Sequence, residues 1–253
     1  MLLGTDTGVG KTTIGCGLLH LAHRRGMRLV PYKPAETGCD PEPQDARSLL
    51  HAATFCDCHI ATSPPTGAHP DFSALRALTQ RDICPYQFRP PLAPSAAARL
   101  AGTAILPRVL QDHAQRLRRC GDALLVEGAG GVLTPYGPAL TGADLATLLD
   151  LPVLLVAANR LGTINHTALA VSELRRRDVP VLGIVLVDVA NVAANAPPDH
   201  ASNAAEIEAL TGVAPLGILR HVAGPRDPVA LAERLSADLD LRPLFDGRLT
   251  SQR

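Results

Sequence analysis

The densest chemistry in the chain lies in Gly4-Thr5-Asp6-Thr7-Gly8-Val9-Gly10-Lys11-Thr12-Thr13. A glycine-rich turn that leads into a helix beginning Gly-Lys-Thr is an anion receptor. Its backbone amides and the helix N-terminus form a concave, electropositive cradle. Thr7, Gly8, Val9, Gly10 and Thr13 belong to that cradle. Lys11 reaches the β and γ phosphates of a nucleotide, and the Thr12 hydroxyl is placed to ligate Mg2+. The strict spacing has four residues between the first glycine and Gly-Lys. Gly4 stands one residue too early, so the loop is a variant; the plain alternative is an ordinary glycine turn before a helix.

A second group is Tyr32-Lys33-Pro34 with Glu36-Thr37-Gly38. Pro34 cannot continue a central strand, so Lys33 ends one at the carboxyl edge of a sheet, where open α/β folds bind ligands. A solvated lysine is the equal alternative. A third is Glu127-Gly128-Ala129-Gly130-Gly131, directly after the apolar run Ala123–Val126. A carboxylate leaving a buried strand is costly unless paired or metal-bound, and the glycines Gly128 and Gly130 let a phosphate approach. Near a phosphate loop, such a carboxylate addresses Mg2+. Asp45 and Asp144 fall early in helices, where acids suit the dipole anyway. Arg160-Leu161-Gly162-Thr163-Ile164-Asn165-His166 opens a helix whose first amides suit a carboxylate.

These groups need a scaffold that brings strand ends and helix starts together. Continuous apolar runs at 28–33, 123–126, 152–158, 181–187 and 214–219 read as parallel strands covered on both faces. Helical segments are expected at 11–25, 44–53, 94–101, 106–119, 163–177 and 201–211. The alternation implies an α/β fold, a doubly wound and mostly parallel sheet in a P-loop NTPase-like three-layer sandwich. Only three residues precede Gly4, so the first strand is either stunted or starts upstream of the given sequence. The stretch 54–91 shows little periodicity and reads as loops with a short helix near 73–78; the tail, 242–253, reads as frayed. No linker marks a second domain, so one domain over 1–253 is expected.

Composition narrows the function. The 253 residues are 46% hydrophobic and 3% aromatic, with Lys+Arg and Asp+Glu at 24 each. A neutral chain has no bulk drive toward nucleic acid or anionic membranes, and few aromatics leave no platform for base stacking. No apolar stretch reaches the ~18 residues of a membrane span. Cys16, Cys39, Cys56, Cys58, Cys84 and Cys120 form no C-x-x-C pair, which favours reduced thiols in a cytoplasmic protein over a metal or disulfide framework. No secretory signal is expected.

Taken together, GTDTGVGKT, YKPAETG, Gln44-Asp45-Ala46, PLAPSAAA, VEGAGGVLTP, RLGTINHT and the strand end Val187-Asp188 resemble the dethiobiotin synthetase family over most of residues 1–222. The resemblance implies a Mg2+- and ATP-dependent ligase that joins CO2 to 7,8-diaminopelargonate in biotin biosynthesis. One amine forms a carbamate, the carbamate oxygen takes the γ-phosphoryl group, and the second amine closes the ureido ring. By the same resemblance Lys33 binds the carbamate, and Lys11 bridges it to the γ-phosphate. Thr12, Asp45 and Glu127 hold Mg2+. Gly128, Ala129, Gly130 and Asp188 lie along the nucleotide, and Thr37 touches the diamine end of the substrate. The amides of Gly162, Thr163, Ile164 and Asn165 catch the substrate carboxylate from the neighbouring subunit, which implies a homodimer with a shared site.

Three positions depart from the family pattern. Val187 stands where an asparagine often precedes the aspartate, so an adenine contact is missing. Ser95 replaces a common histidine, and Arg220-His221 carries no assignable role. The alternative from another class is a partition or positioning ATPase that uses ATP as a switch. Those proteins usually carry a second lysine just after the first loop glycine, where this chain has Thr5.

Overall fold

The computed structural model describes residues 1–55, 71–188, 199–221 and 227–245. Cys56, Cys58 and the end of the tail, 246–253, lie outside the described residues. The elements run β1 (Leu2–Gly4), α1 (Lys11–Arg24), β2 (Leu29–Tyr32), β3 (Ala35–Thr37), α2 (Gln44–Thr54), α3 (Ser73–Arg76) and α4 (Gln80–Ile83). Then follow β4 (Tyr86–Phe88), α5 (Pro94–Leu100), α6 (Pro107–Arg118), β5 (Ala123–Gly131), β6 (Pro135–Gly137), β7 (Leu140–Thr141) and α7 (Gly142–Leu148). The chain closes with β8 (Val153–Ala158), α8 (Thr163–Arg176), β9 (Val181–Val187), α9 (Asp199–Thr211), β10 (Pro215–Leu219), α10 (Pro228–Asp238) and α11 (Arg242–Phe245).

Two compact units share these elements. The first comprises Met1–Lys11, Gly128–Pro225 and Arg234–Arg253; the second comprises Thr12–Glu127 and Arg226–Glu233. In the first unit β10, β9, β8 and β1 lie side by side, and each of these neighbouring pairs is parallel. Leu2, Leu3 and Gly4 stand opposite Leu154, Leu155 and Val156. In the second unit β2 pairs in parallel with the start of β5, Leu29 opposite Ala123 and Tyr32 opposite Val126. Strand β5 carries residues of both units: Ala123–Glu127 belong to the second and Gly128–Gly131 to the first. The doubly wound α/β architecture expected from the apolar runs is the one observed.

The physical reason is visible in β8, where all six residues are buried. A strand sandwiched between helices has no solvent face, so its sequence does not alternate. Helix α1 buries Ile14, Leu18, Leu19 and Ala22, and it stops before Gly26, whose φ of 73° is left-handed. Tyr32 is fully buried and donates its hydroxyl to the Leu110 carbonyl at 3.0 Å, tying β2 to α6.

Several elements differ from the sequence expectation. Within 54–91 the described residues hold α3, α4 and β4, which pairs in parallel with β3, not a single helix in loops. Residues 242–245 form α11 rather than a frayed tail. Strand β5 extends to Gly131, so Glu127 lies inside the strand and not just past its end. Glycine tolerates such a continuation where neighbours press close: a Cβ on Gly128 would lie 2.6 Å from Leu3 Cδ2.

Leu155 is wholly buried in β8 between β1 and β9. Leu155→Ala should cost about 2–5 kcal/mol, read as a lower urea midpoint at unchanged slope. An unchanged midpoint would contradict a tightly packed core at this position.

Candidate active site

The phosphate loop belongs to the first unit. It leaves β1 at Gly4, and Thr5 N–H donates to the Val156 carbonyl at 2.9 Å. Val9 is buried and anchors the loop from below, while Asp6, Thr7 and Gly8 are exposed. Gly8 and Gly10 adopt φ of 73° and 98°, the left-handed backbone that turns successive amides to one side. Gly10 has a second reason to lack a side chain: a Cβ there would lie 3.0 Å from Val187 Cγ1. The early Gly4 is also explained. A Cβ on it would lie 2.7 Å from the Asp6 carbonyl and 2.8 Å from Lys11 Nζ. Lys11 itself is buried, and its ammonium donates to that same Asp6 carbonyl at 2.9 Å. The variant spacing therefore still holds the lysine over the loop.

The second unit holds a cluster of charged groups. Lys33 follows β2, fixed by its amide on the Ile83 carbonyl at 2.8 Å. Its side chain is only 3% exposed, and Nζ lies 2.5 Å from Glu127 Oε1 and 2.9 Å from Asp45 Oδ2. Burial works against the Lys33 charge, but the facing Glu127 and Asp45 carboxylates outweigh it and hold its pKa well above the usual lysine value. Thr12 Oγ1 donates to Glu127 Oε1 at 2.9 Å. Thr13 is half-buried in the same first turn of α1. Lys33, Asp45, Glu127 and Thr12 are thus brought together.

Glu36 joins them without having been assigned a role from sequence. It is buried on β3, and its two oxygens accept the Asp45 and Ala46 amides, each at 2.9 Å. Burial raises its pKa despite those two bonds. The signal was faint: a glutamate in YKPAETG, with partners nine and ten residues further on.

Whether these residues suit Mg2+ is answered by Glu127 Oε2. This oxygen is buried with no hydrogen-bond partner among the described residues. With the Thr12 hydroxyl and the Asp45 carboxylate it forms a set of hard oxygen donors, the kind Mg2+ prefers. Among the described residues no group of three or more His, Cys, Asp and Glu side chains gathers, so such a site would complete its shell with phosphate oxygens and water. The residues fit the ion.

Beyond Glu127, the strand end is braced within the first unit. Ala129 N–H donates to Tyr136 Oη at 2.6 Å, and Gly131 N–H to Thr134 Oγ1 at 2.8 Å. Gly130 has φ 60°, and a Cβ there would meet Thr134 Oγ1 at 2.3 Å. At the ends of β8 and β9, Asn159 donates its amide to Asp188 Oδ1 and accepts from Asn203, both at 2.9 Å. Val187 is buried under the loop and offers no polar group. In α8, Gly162 is the N-cap residue with φ 90°. The Thr163 amide bonds to the Arg160 carbonyl at 3.0 Å, so it is not a free donor at the helix start. Gly162 and Asn165 are exposed and Ile164 is half-buried. Thr37 closes β3, half-buried opposite Phe88. Asp144 is a structural residue: it completes a capping box with Thr141 and pairs with Arg177. The Arg220 amide is held by Asp238 at 3.0 Å.

Residues 1–224 match the AAA domain family. The ATP-dependent dethiobiotin synthetase of Anaeromyxobacter sp. (strain Fw109-5) is 44% identical over 87% of this chain and 89% of its own. That of Pseudomonas aeruginosa (strain UCBPP-PA14) is 36% identical over 96% of both chains. Among solved structures, the septum site-determining protein MinD of Pyrococcus horikoshii, in complex with Mg-ADP, is 16% identical with a TM-score of 0.48, over 99% of this chain and 90% of that one. With relatives at this identity along nearly their whole length, and with phosphate loop, buried lysine and paired carboxylates in place, the chain belongs to the ATP-dependent dethiobiotin synthetase family.

Proposed function

We propose that the chain converts 7,8-diaminopelargonate, CO2 and ATP to dethiobiotin, ADP and phosphate, as one ligase domain assembled as a homodimer. The observation that carries this reading is the buried Lys33 ammonium beside Glu127, Asp45 and Thr12. The reaction must hold an anionic carbamate against an anionic phosphate, so its barrier is largely one of positioning and charge. Lys33 remains protonated and supplies positive charge to the carbamate without a compensating move of water. Lys11 supplies the second charge at the γ-phosphate. Thr12, Asp45 and Glu127 would hold Mg2+, which neutralises phosphate charge when bound.

The bonds balance as follows. A free amine adds to CO2 and loses a proton to solvent. A carbamate oxygen displaces ADP from the γ-phosphorus. The second amine then attacks the carbonyl carbon, phosphate leaves, and the last protons go to solvent. Lys33 acts as a charge throughout and gives up no proton. Its pKa is raised in the folded chain. Its ion-pair contribution is therefore complete below the unfolded lysine value of about 10.4 and is lost only as pH rises past the higher folded value. A basic limb in the rate below about pH 10 belongs to another group.

The dimer reading rests on α8. Leu161, just before α8, and Leu169, in its second turn, are 86% and 62% exposed, apolar surface of the kind a partner covers. Gly162, Ile164 and Asn165 would then meet the carboxylate of a substrate held by the other subunit, the Thr163 amide being taken by Arg160. Among the described residues no helix is long and apolar enough to cross a membrane. A cytoplasmic location is inferred from the chemistry and from the thiols of Cys16, Cys39, Cys84 and Cys120, which form no disulfide among the described residues.

The primary test is incubation with diaminopelargonate, bicarbonate and Mg-ATP, with dethiobiotin sought by mass spectrometry; its absence refutes the reading. Lys33→Ala should abolish ring closure. It should also destabilise the fold by about 3–5 kcal/mol, because it strands the Glu127 carboxylate. Adding Glu127→Gln should restore much of the melting temperature and none of the turnover; recovered turnover would show that Lys33 serves packing alone. Mixing Lys33→Ala chains with Asn165→Asp chains should restore part of the activity, since some dimers keep one whole site. No recovery, with mixed dimers shown to form, would exclude a shared site. Finally, with Val187 offering no amide, GTP and CTP should support turnover within about tenfold of ATP; strong preference for ATP would place base reading on other groups.

A further inference from the structure

Helix α2 begins at Gln44 behind Pro43, and Pro43 makes no side-chain capping bond. The amides that an N-cap side chain ordinarily satisfies are those of the second and third helical residues, here Asp45 and Ala46. Both are taken by Glu36, a residue of β3, at 2.9 Å each. The cap is therefore supplied from another element, and it arrives as a carboxylate, the charge that a helix N-terminus favours.

The placement has a consequence beyond helix stability. Glu36 follows Lys33 by three residues, and Asp45, whose amide Glu36 holds, bonds back to Lys33 Nζ at 2.9 Å. Backbone from Lys33 to Glu36, the Glu36–Asp45 hydrogen bond and the Asp45–Lys33 ion pair close a ring. Within that ring Lys33 and Glu36 are 3% and 6% exposed, whereas the Asp45 side chain is 31% exposed. Asp45 is thus the member least fixed by packing and the one most dependent on its anchor.

We propose that Glu36 is a positioning residue: by capping α2 from β3 it fixes Asp45 where that carboxylate meets both Lys33 and the divalent cation. The inference rests on the function proposed above. Glu36 touches neither substrate nor metal; it acts through Asp45. Loss of a group that orients a metal-binding side chain typically weakens metal affinity 10- to 100-fold.

Mn2+ provides a probe of this without turnover, its binding to the ADP complex being followed by electron paramagnetic resonance. Glu36→Ala should raise the Mn2+ Kd about tenfold or more. Glu36→Gln, which keeps one acceptor oxygen for one amide, should fall between Glu36→Ala and the wild type. The double variant Glu36→Ala/Asp45→Asn should bind Mn2+ no more weakly than Asp45→Asn alone, because two changes along one path do not add. Melting temperatures of all four chains confirm that folded protein is compared. Wild-type Mn2+ affinity in both Glu36 variants overturns the proposal, and so does a Glu36→Ala effect that adds in full to that of Asp45→Asn. A wild-type chain that binds Mn2+-ADP yet makes no dethiobiotin removes the proposed function while leaving the Glu36 result to be judged separately.

Discussion

A lysine ammonium buried to 3% exposure is the constraint around which the second unit is arranged. An isolated charge in such a place is costly by several kcal/mol. It persists because Glu127 and Asp45 oppose it, and each of them is in turn held. Glu127 sits in mid-strand with the Thr12 hydroxyl on the same oxygen. Asp45 sits in the first turn of a helix capped by Glu36. Buried ion pairs of this kind return little net stability compared with apolar packing. In the reaction proposed above, their value would lie in fixed charge aimed where negative charge develops, with no reorganisation left to do.

That constraint explains which parts of the molecule were legible in sequence. The large parallel strands were plain, because residues buried on both faces give continuous apolar runs at 152–158 and 181–187. The ladder of β3 with β4 was not, since three residues per strand carry no period and are ordered by their neighbours. The extension of β5 through Gly131 ran against strand propensity; close approach by Leu3 and Thr5 makes glycine suitable there. Helix α7 could have been read from Thr141-Gly-Ala-Asp144, a capping box with aspartate in the third position.

The site divides along the same line. Lys11 and Thr12 were legible because a glycine turn before a helix has a local signature. Lys33 was evenly balanced, because burial of a lysine depends on Glu127, ninety-four residues away. Glu36 carried no assignment at all. Its partners are backbone amides, which leave no mark on side-chain identity, and the cap position that might have drawn attention is occupied by Pro43.

In the first unit the packing of the loop and the polarity of the β9 end are one problem. Gly10 lies so close to Val187 that the branched side chain fills the space beneath the loop. An asparagine at 187 would bring a polar amide into that contact and would need a partner. The chain instead carries its amide one strand over. Asn159 donates its NH2 to the Asp188 carboxylate and accepts from Asn203 on its carbonyl, so both ends of its amide are engaged. The polar network at this edge of the sheet is spent on fixing Asp188 rather than on offering a second amide to a base. The left-handed turns at Gly8 and Gly10 that shape the loop belong to its own backbone and not to that network. Val187 is therefore where the two meet: its branched side chain packs under Gly10, whereas the Asn203–Asn159 pair acts on Asp188.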